Sequence, residues 1–238
     1  VKRSPLRPPP YQAGDLAVLF LRGARPPYVL ADAPREMLRS PDPEAAARLA
    51  QAVTALVSAA DDHDQLLALH LGWLGGSDAD LRNQAVLAFR DPKAPFAPLG
   101  PDFARALARE ALDPARSPAA RRGFAAVAVS LPAGVDALLP RMPGEAPLAD
   151  AEITRRVLQV GILMGHPGST EALVRALGHE DPAIREAGLK ETRQAQAATS
   201  AELRDALATL AASDPDPGIR REAASRLESL LSGGASRP

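Results

Sequence analysis

Apolar positions along most of this chain recur at helical spacing, whereas the first forty residues follow a different rule. Pro5, Pro8, Pro9 and Pro10 cannot sit inside a helix and read as an extended lead-in. Asp15–Arg22 is then a short apolar run, Gly23–Pro27 breaks it, and Tyr28–Leu30 resumes it. Two such runs around a Gly/Pro break predict a β-hairpin over residues 14–31. Its apolar side chains Leu16, Val18, Phe20, Val29 and Leu30 need a cover. That cover is expected to be either the first helices or another polypeptide paired at the ribbon's edge.

From residue 41 the pattern is helical. Ser40-Pro-Asp-Pro-Glu44 supplies cap residues and first-turn prolines for an alanine-rich helix over 43–60. Beyond it, five helix starts share one form: a cap residue, two variable positions, an apolar residue, and usually arginine. They begin at Asp78, Ser117, Asp150, Asp181 and Asp216. The fifth position holds Arg82, Arg121, Thr154, Arg185 and Arg220, so the intervals are 39, 33, 31 and 35 residues. A helical segment precedes each start, at 63–74, 102–112, 133–139, 169–177 and 199–211, the last with Thr199 and Glu202 as a capping box. A period in the thirties with one capped start per period predicts an all-α fold, an α-solenoid of about five helix pairs. The organisation expected is a lead-in and hairpin over 1–40, the solenoid over 41–232 and a disordered tail over 233–238. Helices near 119–131 and 152–164 are apolar nearly all round and are expected to be the most buried.

Composition narrows the chemistry. The formal net charge is −1 across 238 residues, without the basic excess of a dedicated nucleic-acid binder, so no nucleic-acid partner is expected. The absence of cysteine excludes disulfides, thiolate metal sites and cysteine nucleophiles. No apolar run is long enough to span a bilayer, so no membrane insertion is expected. No signal peptide is evident, which makes the cytoplasm the default compartment, with the envelope or secretion open if the N-terminus is processed.

The paired helices, and the Asp-Pro-x-Ile-Arg-x-x-small form at Asp181–Gly188 and Asp216–Ala223, resemble HEAT repeats of the bacterial type also found in phycobilisome-lyase-like proteins. The resemblance covers residues 62–231. It implies a ladder across repeats in which Asp78, Asp181 and Asp216 bond with Arg82, Arg121, Arg185 and Arg220, interrupted at Thr154. It also implies that the second helix of each pair lines a concave face. The residue after the repeat arginine and the one four later then form a stripe: Asn83 and Leu87, Arg122 and Ala126, Arg155 and Gln159, Glu186 and Lys190, Arg221 and Ser225. Either this stripe is a solvated face, or Arg122, Arg155, Gln159, Lys190 and Arg221 line a groove for a protein or an extended acidic peptide. On the second reading, reversing Arg122 and Arg155 to glutamate weakens binding and leaves the fold intact.

The remaining candidates are thinner. His63 and His70 stand about 10 Å apart along a helix, too far to share one metal. His179-Glu180 matches a single pair of the several that HEAT-like di-iron hydroxylases use. HEAT-like DNA glycosylases need a basic face and aromatic residues, and Trp73 is the only tryptophan. No phosphate loop, dinucleotide fingerprint or nucleophile elbow is present. The expectation is a non-enzymatic interaction scaffold with no cofactor, metal or catalytic residue. The alternative is a HEAT-based enzyme, either lyase-like on a chromophore or acting in nucleic-acid repair. A pocket joining Trp73, His70 and a carboxylate would favour that alternative.

Overall fold

The computed structural model describes residues 16–19, 21–22, 29–30, 37–40, 43–91, 94, 99–144, 149–192 and 200–233. The chain divides into two units, residues 1–69 and 70–238. In the first unit, β1 (Leu16–Leu19) pairs antiparallel with β4 (Met37–Ser40), and β2 (Leu21–Arg22) with β3 (Val29–Leu30). Helix α1 (Pro43–Ser58) packs on β1 and β4. The partner of β1 thus comes from residues 37–40, a segment in which the sequence pattern shows no strand. The side chains of the expected hairpin lie outside the described residues.

The second unit is helical throughout its described residues. It holds the end of α2 (His63–Gly75), α3 (Ala79–Arg90), α4 (Pro101–Ala111), α5 (Pro118–Ala128) and α6 (Pro132–Leu138), which runs into a 3-10 turn over Leu139–Arg141. There follow α7 (Ala151–Leu163), α8 (Ser169–Leu177), α9 (Pro182–Glu191), α10 (Ala201–Ser213) and α11 (Pro217–Gly233). No helix among the described residues is long and apolar enough to cross a membrane.

Local chemistry sets most of these starts. Asp78, Ser117, Asp150 and Asp181 each accept from backbone N–H groups of the first turn, satisfying donors that have no helical partner. Ser200 caps α10 through the N–H of Leu203, so the cap lies one residue after the expected Thr199, which is outside the described residues. α4 packs on α5, α6 on α7, α8 on α9, and α10 on α11. Successive second helices also touch, α3 on α5, α5 on α7, α7 on α9 and α9 on α11.

Small residues allow this closeness. Every residue of α5 from Gly123 to Ala128 is buried, as its apolar composition predicts. The parallel expectation for α7 does not hold, since Leu163 is 69% exposed and Met164 47%. These two residues end α7 at a loop, where nothing among the described residues covers the outward face. Gly165 closes α7 with φ +66, and the His166 N–H reaches back to the Gly161 carbonyl, a left-handed cap that favours glycine.

Gly134 in α6 is required for a different reason. A Cβ there would lie 2.0 Å from the Ala128 carbonyl oxygen, a backbone atom of α5 that cannot swing aside. Gly134→Ala is therefore expected to cost about 3 kcal/mol by forcing α5 and α6 apart, as read from denaturant unfolding. A loss under 0.5 kcal/mol would show that the two helices separate freely.

Candidate functional site

The repeat arginines do one shared job. Arg82 Nη1 donates to the Gly76 carbonyl at 2.7 Å. Arg185 Nη1 donates to His179 and Glu180 at 2.9 and 2.6 Å, and Arg220 Nη1 to Asp214 and Pro215 at 2.6 and 3.3 Å. Arg121 Nε donates to Ala111 at 3.1 Å. Each guanidinium thus satisfies carbonyls that the preceding helix end or its loop leaves open, where a cation is also favoured electrostatically. Thr154 cannot do this, and its Oγ1 sits 3.8 Å from Met142 Sδ. Arg175, on α8, replaces it: its Nε and Nη2 donate to the Met142 carbonyl at 3.0 and 2.9 Å, and Nη2 to Leu139 at 3.3 Å.

The carboxylates divide into two sets. Asp78, Asp181 and Asp216 cap their own helices, Asp216 through Gly218 and Ile219 at 2.6 and 3.2 Å. Asp214, two residues earlier, takes Arg185 of the preceding second helix, with Oδ2 to Nε at 2.6 Å and Oδ1 to Nη2 at 3.1 Å. The inter-repeat bond of Arg185 therefore ends on Asp214, where the implied ladder has Asp216. Burial pushes the Asp214 carboxyl up, yet bonds from Arg185 and the Asp216 N–H, with the charges of Arg185 and Arg220, hold it below the usual range. The stability this contributes is present above the unfolded pKa and lost as pH falls.

The stripe residues are on the page but differently engaged. Arg122 Nε reaches Asp150 at 2.9 Å and Glu152 at 3.4 Å, and Arg155 reaches the buried Glu191 at 3.7 Å. Lys190 pairs with Glu186 at 2.7 Å on its own helix. Gln159 is half-buried, and Arg221 is exposed on α11. Two clefts lie over the second helices. One, of about 230 Å³ between α3, α5 and α7, is lined by Arg82, Asn83, Arg122, Glu152 and Arg156, with apolar floor residues. The other, of about 890 Å³ between α9 and α11, is lined by Glu186, Lys190, Asp216, Glu222 and Arg226. Three arginines against Glu152 and against Asp150, which holds Arg122, leave the first cleft +1, while three carboxylates against two cations make the second −1. The row of cations is thus a basic cleft followed by an acidic one.

Gly123 shapes the first cleft, because a Cβ there would lie 2.9 Å from Arg82 Cδ and 3.1 Å from the Leu74 carbonyl. Arg156, half-buried, makes no hydrogen bond or ion pair among the described residues. Its one signal in the sequence is the Arg155-Arg156 doublet, where a 100° helical step sends the two side chains to different neighbours. His70 lies against Trp73 and Phe89, with ring centroids 5.1 and 6.0 Å away. His166 meets Asp136 at 3.1 Å, and His179 Nδ1 accepts the Asp181 N–H. No group of three metal-ligating side chains occurs among the described residues.

Arg122 and Arg155 each hold a buried carboxylate of the next repeat, so the expectation that both tolerate reversal is revised. The double change Arg122→Glu with Arg155→Glu is expected to cost roughly 2 kcal/mol in a denaturant titration. A stability matching the native chain would show that the bridges are idle. Glu191 is itself under strain: desolvation raises its pKa, the Arg155 charge opposes this, and Oε2 has no hydrogen-bond partner. A raised carboxyl favours folding below its unfolded pKa, and that advantage is lost as pH rises through the folded value. Glu191→Gln should therefore match the native chain in acid and exceed it at neutral pH. Melting curves across pH 4–8 that stay parallel would refute this. Comparison with family models, with curated proteins and with solved structures finds no match to this chain.

Proposed function

We propose that the chain is a non-enzymatic protein-interaction scaffold, an α-solenoid of HEAT-like helix pairs that docks a partner's acidic segment over its second helices. The observation that carries this reading is the basic cleft between α3, α5 and α7, whose Arg156 has no partner among the described residues. Successive contacts among α3, α5, α7, α9 and α11 support the solenoid, since each second helix packs on the next. Arginine–carboxylate bridges from α5 to α7, α7 to α9, and α9 to Asp214 hold those helices in register. A fixed face of this kind is what a docking surface needs, because its side chains are ordered before the partner arrives.

The charge pattern refines the expected groove. An evenly basic rail suits a long acidic strand, but here the acidic cleft at α9 and α11 repels one. An acidic anchor near Arg156, with neutral or basic residues continuing toward α11, fits both clefts.

The test uses a partner captured from the native organism and then purified. Arg156→Glu is expected to weaken its binding at least tenfold, and a control reversal of Arg109 on α4 to change it less than twofold. Equal effects from the two reversals, or none from Arg156→Glu, would remove the second-helix face as the docking surface.

A further inference from the structure

We infer that the apolar pocket between α2, α4 and α5 receives an anchor of the partner protein, an apolar side chain with a basic residue beside it. The inference rests on the scaffold reading and adds a second docking point, on the first helices. Leu71, Phe103, Leu107 and Phe124 line a space of about 450 Å³, with Gly72 and Gly75 in its α2 wall. A glycine inside a helix weakens it relative to alanine, because more backbone freedom is lost on folding. Gly123, Gly134, Gly161 and Gly188 have a reason within the chain, since a Cβ at each would come within 3.2 Å of another side chain or backbone atom. Gly72 has no such reason. A Cβ there would meet no atom of the described residues within 4 Å, and its φ is not left-handed. The room that its missing side chain leaves is part of the pocket, and an atom from outside the chain is what can use it.

The lining selects the chemistry of the occupant. The floor side chains carry no donor or acceptor, so a polar group entering there gives up its water without replacement, whereas an apolar one gains by leaving water. The two ionisable side chains of the lining stand together. Arg116 Nη2 and Nε both bond Glu110 Oε2, at 2.6 and 2.7 Å, and the guanidinium carbon lies 5.8 Å from the centre of the Phe124 ring. Arg116 also meets Asp113 at 3.8 Å. Two carboxylates against one guanidinium leave this end of the pocket at −1, and Glu110 Oε1 has no partner among the described residues. A cation beside the apolar anchor is therefore attracted there, and a carboxylate is repelled.

The test is an amide NMR titration of the full chain with three short peptides blocked at both ends, Phe-Lys, Phe-Glu and Ser-Lys. Phe-Lys should shift the Gly72 and Gly75 signals saturably, Phe-Glu should bind more weakly, and Ser-Lys should leave them in place. Gly72→Leu fills the room with a better helix former, so it should weaken Phe-Lys by about tenfold or more while the melting temperature holds or rises. Glu110→Gln should narrow the difference between Phe-Lys and Phe-Glu and keep both. Equal shifts from Ser-Lys, undiminished Phe-Lys binding by Gly72→Leu, or a dimer in sedimentation that Gly72→Leu dissolves, which would give the pocket to a second copy, would overturn the inference. Binding of the purified partner is then compared in Gly72→Leu and Arg156→Glu. Weakening by both supports the two docking points together, and weakening by Gly72→Leu alone keeps the pocket and removes the second-helix face. Weakening by Arg156→Glu alone removes the pocket and leaves the scaffold reading standing, and weakening by neither removes both.

Discussion

The guanidinium group four residues after the cap of a second helix is the interaction on which the described repeats depend. A helix that ends before a short loop leaves carbonyls without donors, and burying them unpaired would cost more than most single contacts return. Arg82, Arg185 and Arg220 supply those donors across the loop, which fixes how the second helix of a pair leaves the first. Where the position is Thr154, Arg175 brings the same group from α8, a helix later in the chain. The requirement for donors at the Leu139–Met142 carbonyls persists although the residue that meets it has moved.

The same arginines bind successive repeats when a carboxylate lies in reach. Arg185 uses one part of its fork on loop carbonyls and the other on Asp214, so loop closure and repeat stacking share one side chain. Arg122 and Arg155 bridge the preceding intervals to Asp150 and Glu191. Asp150 is buried yet well supplied, with two backbone N–H groups and Arg122. Glu191 is buried with one oxygen unpaired, and desolvation by that burial raises its pKa against the opposing charge of Arg155.

These structural duties shape the functional reading. A cation already held by a carboxylate contributes little to a partner, because binding must first break the internal pair. Attraction is therefore concentrated where arginines outnumber carboxylates, in the cleft around Arg156, and it is cancelled near Lys190 and Glu186. On the proposed reading, the second-helix face offers one basic cleft in place of a continuous basic groove.

The amino-acid sequence by itself determined the helices of residues 43–233 and most of their starts. Capping and helical periodicity involve residues three or four apart, so Asp78, Asp150, Asp181 and the first-turn prolines state them locally. It also determined the period, since each repeat carries its own apolar fourth residue and all but the third, with Thr154, their own arginine. Only the tertiary structure decided which carboxylate each arginine reaches. Asp214 and Asp216 differ by two positions in a loop, and one turns to Arg185 while the other turns back to cap α11. It decided as well that Arg156, beside the expected Arg155, lines the cleft with Arg122. Both outcomes depend on the rotation of one helix against the next, and around α5 the packing of Gly123 against Arg82 and of Gly134 against Ala128 brings the helices to close range. A face counted along a single helix contains no information about that rotation.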